Sequence, residues 1–204
     1  MTLYIFPPAP DFHGASSNYA WVDNIFTEEE LNKIVLLGSA SPKESGSVNL
    51  DDKNSIQLSI QKDIRKSKHA WMPVSETTVF IYSRLAAAIN LLNAQFFQFD
   101  IYGYIEPLQY TVYEESGDHY DWHLDKLPYK DAVTRKLTSV LMLSDNSDHE
   151  GGELQVLAGG DPHTLEKNKG RLYIFPSYLL HRVTPVTSGR RVTLVSWVSG
   201  NKFR

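Results

Sequence analysis

Between residues 99 and 198 the chain breaks into short β-type runs separated by turn residues, and no other feature narrows its possible folds as far. The runs cover 99–105, 108–114, 119–124, 137–143, 153–157, 171–175, 180–186 and 191–198. Turn signals stand between them: Ser116-Gly117-Asp118, Asp145 to Gly152, Gly159-Gly160-Asp161-Pro162 and Ser188-Gly189. Eight short strands at this spacing, following a helical half, predict an α+β chain whose jelly-roll core is buttressed by amino-terminal helices. Helical and strand patterns are segregated along the chain, which argues against an alternating doubly wound sheet.

The first half supplies the helices. Thr27-Glu28-Glu29-Glu30 is a capping-box pattern, with Leu31, Ile34, Val35 and Leu37 following on roughly one face and Gly38 expected to end the helix. After Pro73, Ser75 is the expected cap of a longer helix in which Val79, Tyr82, Leu85, Ala86, Ile89 and Leu92 recur at helical spacing. Both helices read as packing props for something else. The polar stretch 41–67 between them reads as an exposed loop with at most a short strand around 56–60. The chain is thus expected to form one domain over 1–204, with 1–98 mainly helical support and loop and 99–199 the jelly-roll catalytic core.

Composition removes several functions. Apolar residues with glycine make up about 48% of the chain, the ordinary globular range. Twenty basic against 24 acidic residues leave a formal charge of −4, which argues against a polyanion binder and so against nucleic acid. The absence of cysteine excludes disulfides, thiolate zinc sites and thiol nucleophiles, so any metal must sit on His, Asp or Glu. Residues 1–10 lack the basic and apolar regions of a signal peptide, and the most apolar stretch, 85–97, is broken by Asn90, Asn93 and Gln95. No membrane partner is expected, and the expected location is cytoplasmic, the host cytoplasm if phage-encoded.

The chemistry concentrates in the β half. His123-Leu124-Asp125 puts an imidazole and a carboxylate two residues apart, on one face of a strand, where both reach one cation. His119-Tyr120-Asp121 repeats that pattern four residues upstream, and spacing alone leaves the choice open. His181, in a later β-type run, is the best third ligand. Two histidines and one carboxylate form the facial triad of non-haem Fe(II) oxygenases, which leaves coordination positions open. Ten residues on, Arg191 heads a strand whose alternation places Arg191, Thr193, Val195 and Trp197 on one face. An arginine opening such an apolar face is costly unless its charge is paired, and a planar guanidinium suits a small carboxylate. Period-2 alternation turns the neighbouring Arg190 outward.

At these residues the chain resembles the 2-oxoglutarate- and Fe(II)-dependent oxygenases of the prolyl-hydroxylase-like branch, and within it the bacterial and phage-type PKHD hydroxylases. The resemblance rests on Tyr113-Glu-Glu-Ser-Gly-Asp-His-Tyr120-Asp-Trp-His123-Leu-Asp125, Arg135-Lys-Leu-Thr-Ser-Val-Leu-Met-Leu143, Gly151-Gly-Glu-Leu154, Gly170-Arg-Leu-Tyr-Ile-Phe-Pro-Ser177, the His181 to Gly189 segment and Arg191 to Trp197. These cover roughly 102–199, and the Arg65-Lys-Ser67 segment with the two helices looks like the family's amino-terminal support. The family's tyrosines ten and three residues before its first metal histidine match Tyr113 and Tyr120 only if that histidine is His123.

The resemblance implies a double-stranded β-helix with Fe(II) held by His123, Asp125 and His181, and 2-oxoglutarate and O2 as cosubstrates, with ascorbate as a reductant. Arg191 would bind the distal carboxylate of 2-oxoglutarate, Thr193 would add a hydroxyl, and Tyr113 would border that pocket. Tyr120, Arg135 and Trp197 match positions that face the primary substrate. The implied reaction hydroxylates a C–H bond of a peptidyl proline, releasing succinate and CO2. The competing expectations are the same chemistry on a free amino acid, another small molecule or a nucleobase, or a silent metal- or sugar-binding jelly roll. Against the nucleobase, Trp197 stands where a demethylase carries its second arginine. Two positions depart from the family pattern: Met142 where some members place a cosubstrate-binding tyrosine, and Lys126 where asparagine is common. His13, His69, His149 and His163 are expected on the surface, and Gly151-Gly152 as a tight turn with positive φ.

Overall fold

A computed structural model describes residues 18–45, 64–114, 116–125 and 133–202. Two antiparallel sheets pack as a jelly roll. The larger sheet runs β1 (Ala20–Val22), β11 (Leu172–Pro176), β7 (Val133–Met142), β14 (Arg191–Asn201), β5 (Leu108–Tyr113), β4 (Lys68–Met72) and β2 (Glu44–Ser45). The smaller runs β10 (His163–Thr164), β9 (Leu154–Leu157), β12 (Leu180–Val183), β6 (His119–His123) and β3 (Arg65–Lys66). A separate antiparallel pair is formed by β8 (His149–Gly151) and β13 (Val186–Gly189).

Alternation along β5 shows how the larger sheet buries both faces. Leu108, Tyr110 and Val112 pack under the helices with Ile34, Ile81, Leu85 and Ile89. Gln109, Thr111 and Tyr113 point to the opposite side, into the space between the sheets. A second apolar cluster, including Val140, Met142, Leu154, Val156 and Phe175, fills that space behind the cavity described below.

Helix α1 (Glu28–Ala40) begins on the expected capping box: Thr27 Oγ1 accepts from the Glu30 amide at 3.3 Å and Glu30 Oε2 accepts from the Thr27 amide at 2.8 Å. Gly38 does not end it. The helix continues through Gly38, where a Cβ would lie 2.3 Å from Cδ2 of Tyr110. Helix α2 (Val79–Leu92) starts later than expected, because Ser75 sits in a turn that precedes it. There the Ser75 carbonyl accepts from the Val79 amide, while Thr78 Oγ1 donates to the Pro73 carbonyl at 2.7 Å. A π-helical turn, Asn93–Phe97, extends α2.

Three strand expectations are corrected. The 99–105 run forms only a single bridge, Gly103 to Ser199. The 180–186 run divides into β12 and β13, since Pro185 has no amide hydrogen to continue a ladder. The amino-terminal half is also more than helical support, because β1, β2, β3 and β4 extend both sheets. The strand expected around 56–60 lies outside the described residues.

Candidate active site

Strands β6 and β12 pair so that His123 and His181 are directly opposed. Cross-strand partners project to the same side, and the two imidazoles lie 4.1 Å apart between ring centres. The register then slips, with Val183 opposite Tyr120, so β6 carries one extra residue just before the site. Asp125 follows the end of β6 and turns back over both rings. Its Oδ1 lies 3.6 Å from His123 Nε2 and its Oδ2 3.4 Å from His181 Nε2. One ligand atom from each of the three residues falls within 4.8 Å of the others.

The donor set fits a divalent cation such as Fe(II). His123 Nδ1 lies 2.7 Å from the Asp121 carbonyl and His181 Nδ1 2.8 Å from the Leu179 carbonyl. A carbonyl only accepts, so each Nδ1 carries a hydrogen, and Nε2 is the atom each ring offers to a cation when neutral. Burial, aided by the neighbouring His181, pushes the His123 pKa down to about 4, which keeps that ring neutral. Burial also opposes charge on His181, but the Asp125 carboxylate outweighs it and raises that pKa. For Asp125, burial works against ionisation, and His181, His123 and Arg135 together hold the carboxyl far below the usual range. An ionised carboxylate beside two imidazole lone pairs is the donor set expected for non-haem iron. His119 stands apart from the cluster, with Nδ1 at 2.7 Å from the Gly117 carbonyl.

The cavity beside this cluster runs between the sheets to Arg191, which opens β14 opposite Tyr113. Arg191 is 1% exposed, and its Nε and Nη2 have no hydrogen-bond partner among the described residues. These two atoms form one edge of the guanidinium, the edge that grips a carboxylate in bidentate fashion. Burial lowers the Arg191 pKa, with Tyr113 and Glu153 acting in the opposite direction. Gly152 makes room for the arginine: a Cβ there would lie 2.9 Å from Arg191 Cδ. Gly151 and Gly152 have φ of 70° and 66°, as expected for the tight turn. Thr193 and Tyr113 line the same cavity, and both are buried.

The three expected substrate-facing residues differ in placement. Tyr120 lines the cavity and stacks on His123, with rings 3.4 Å apart and 8° from parallel. Burial pushes its hydroxyl up to about 12. Arg135 and Trp197 lie outside the cavity lining. Arg135 forks onto Glu106, its Nε at 2.6 Å from Oε2 and its Nη2 on Oε1, and its guanidinium covers the Trp197 ring at 3.9 Å. Trp197 is 6% exposed and donates its indole hydrogen to Asp125 Oδ2 at 2.9 Å.

Sequence reading missed several contributors. Arg65, on β3, covers the Tyr120 ring at 4.7 Å and donates to Ser67 and Gln109. Thr138, on β7, donates to Asp125 Oδ2 at 2.8 Å. Both stood in segments that the resemblance covers, but neither carried a site role there, since each reaches the site only through strand pairing. His69 and His149 are buried, contrary to expectation, while His163 is exposed. His149 sits against the Gly151 carbonyl, where the β8–β13 pair covers it, and His69 lies edge-on to Trp71 on β4. His13 and Lys126 lie outside the described residues.

Residues 108–199 match the model of the 2OG-Fe(II) oxygenase superfamily. A PKHD-type hydroxylase of Teredinibacter turnerae is 35% identical over 98 residues, 46% of this chain and 43% of that protein. The chain spans less than half the length of the first curated relatives it matches. Among solved structures, a Pseudomonas putida prolyl-4-hydroxylase superposes with a TM-score of 0.68 at 20% identity, covering 91% of this chain and 94% of that one. A Trichoplax adhaerens prolyl hydroxylase, bound to a hypoxia-inducible-factor peptide, gives 0.72 at 19%, covering 90% and 84%. The fold is that of these hydroxylases, a double-stranded β-helix.

Proposed function

We propose that this chain, which carries the core segment of the 2OG-Fe(II) oxygenase superfamily and is PKHD-type in its sequence, is a dioxygenase that hydroxylates a C–H bond of a peptidyl prolyl residue, releasing succinate and CO2. The observation that carries this reading is the unpartnered Nε–Nη2 edge of Arg191, buried in the same cavity as the His123, Asp125 and His181 cluster. A buried cation whose inward edge has no hydrogen-bond partner among the described residues calls for an anionic ligand, and a metal cluster at the other end of the cavity calls for one that also chelates. 2-Oxoglutarate meets both demands.

When bound, Fe(II) with 2-oxoglutarate supplies O2 activation and the oxidation of a C–H bond, with ascorbate as a reductant for the iron. The chain's own residues do the rest. His123 and His181 offer neutral nitrogen donors held by backbone carbonyls, and Asp125 offers the single negative charge. Arg191 orients the distal carboxylate of 2-oxoglutarate, with the Thr193 hydroxyl and the Tyr113 ring beside it. Val140, Leu154, Val183 and Val195 line the cavity walls and exclude water from the reacting centre. Tyr120 borders the substrate side. The peptide-bound Trichoplax structure supports a peptide as the primary substrate here.

The test is mass spectrometry of proline-containing peptides incubated with the protein, Fe(II) and 2-oxoglutarate. A gain of one oxygen with matching succinate is expected. His123→Ala, Asp125→Ala and His181→Ala should each abolish succinate formation, and His119→Ala should preserve it. Succinate formation that persists in His123→Ala but disappears in His119→Ala would reverse the ligand assignment.

A further inference from the structure

Two hydrogen bonds converge on one oxygen of Asp125. Trp197 Nε1 donates to Oδ2 at 2.9 Å and Thr138 Oγ1 donates to the same atom at 2.8 Å. Neither residue precedes or follows Asp125 in sequence, yet they act together because Trp197 and Thr138 are direct cross-strand partners on β14 and β7. Partners in register project side by side, so one pair of neighbouring strands delivers both donors to one acceptor. Both donors are themselves held. Thr138 gives its hydrogen to Asp125, so the Ser177 hydroxyl at 3.1 Å donates to Thr138 in turn. The Trp197 ring lies under the Arg135 guanidinium, which Glu106 fixes by a two-point contact. Arg135 Nη1 also donates to the Asp125 carbonyl at 3.3 Å, so the same arginine steadies the aspartate backbone.

A carboxylate oxygen has two in-plane lone pairs. Thr138 and Trp197 both donate to Oδ2, which also stands 3.4 Å from His181 Nε2, and neither donates to Oδ1, so these two donors favour Oδ1 as the oxygen that meets a cation. We infer that Trp197 and Thr138 are positioning residues that confine Asp125 to one-oxygen ligation through Oδ1, and so set the affinity and coordination number of the metal site. The inference rests on reading His123, Asp125 and His181 as metal ligands. It also gives Trp197 a role other than the substrate-facing one that the resemblance implied. Confinement matters for chemistry, because a carboxylate binding through both oxygens would take a position that a cosubstrate or O2 needs.

Mn(II) binding to the purified full chain, followed by the loss of free-ion electron paramagnetic resonance signal, tests this without reference to turnover. Thr138→Val removes one donor at near-constant volume and Trp197→Phe removes the other while keeping an aromatic ring, and each should weaken Mn(II) binding by ~10- to 100-fold, the usual effect of losing a partner of a ligand. Thr138→Ser restores the hydroxyl and should bind like the wild type. The visible absorption bands of the Co(II)-loaded Trp197→Phe and Thr138→Val proteins should shift as Oδ2 is released, whereas those of Thr138→Ser should not. Unchanged Mn(II) affinity and unchanged Co(II) bands in both donor variants would overturn the inference, even if their thermal stability fell. Weakening in Thr138→Ser equal to that in Thr138→Val would also overturn it, by showing that the hydroxyl is not the cause. Wild-type affinity in His123→Ala would instead take down the metal-site reading and this inference with it.

Discussion

Arg191 is the residue whose chemistry the rest of the cavity has to answer. Among the described residues it is one of the largest fully buried side chains, and the edge it turns inward finds no hydrogen-bond partner there. Breaking one partner out of a buried charged pair typically costs roughly 3–5 kcal/mol. At about 1.4 kcal/mol per decade, Arg191→Met should lower 2-oxoglutarate affinity by roughly a hundredfold or more. Arg191→Lys should fall between methionine and arginine, because an ammonium cannot form the planar fork. Arg190→Met is the control, since that side chain lies at the surface near Glu114 at 3.5 Å and outside the cavity. Titrating 2-oxoglutarate into the Mn(II)-loaded variants under nitrogen measures all three, and equal affinities for wild type and Arg191→Met would remove the anchor. Without ligand, Arg191→Met should unfold at or above the wild-type temperature, because it deletes an uncompensated buried charge.

Helix α1 shows what local sequence can and cannot reveal about an element. Its start was legible because the capping box is a short-range bargain between Thr27 and Glu30, three residues apart. Its end was misread because a glycine that ends a helix and a glycine that lets a helix approach a sheet look alike in sequence. What separates them is Tyr110 on β5, whose ring occupies the space a Cβ at position 38 would need and whose hydroxyl meets Ser39 Oγ at 3.0 Å. Gly38→Ala therefore opposes two effects. Alanine gains about 1 kcal/mol of helix propensity, but overpacking against backbone-anchored neighbours costs typically 1–3 kcal/mol. The contact is too close for side-chain adjustment alone, so a net loss of stability is expected in urea unfolding, and a stabilised variant would show that α1 shifts freely on the sheet. The same distinction runs through the candidate site. Periodicity offered His123 with Asp125 as a pair but offered His119 with Asp121 equally, and it was the resemblance, through Tyr113 and Tyr120, that favoured the first pair. Thr138 was invisible because its role comes from register with Trp197, and β4 was missed because Lys68–Met72 has no clean alternation of apolar and polar residues.

For the molecule as a whole, the amino-terminal half closes both sheets. Strand β1 covers the β11 edge, β4 and β2 continue the larger sheet past β5, and β3 continues the smaller past β6. Ion pairs reinforce these junctions: Arg84 forks onto Glu30 at 2.8 and 2.9 Å between the helices, and Arg171 onto Asp23 at 2.7 and 2.9 Å between the core and the segment after β1. Cutting the chain near residue 98 would strip α1 and α2 from the face formed by Leu108, Tyr110 and Val112, and would expose the ladders of β5, β6 and β11 at once. The chain is longer than the domains for which all-or-none unfolding is the rule. Even so, among the described residues both apolar clusters draw on strands of the larger sheet. One cooperative transition is therefore expected in urea, with far-ultraviolet circular dichroism and tryptophan fluorescence superimposing. Fluorescence is a fair probe of both halves, since Trp21 and Trp71 lie on β1 and β4 while Trp122 and Trp197 lie on β6 and β14. A chain beginning at residue 99 should fail to show the cooperative transition at all. Two separated transitions in the full chain, or a folded 99–204 fragment, would show instead that the helical half is an independent unit and that the jelly roll stands without it.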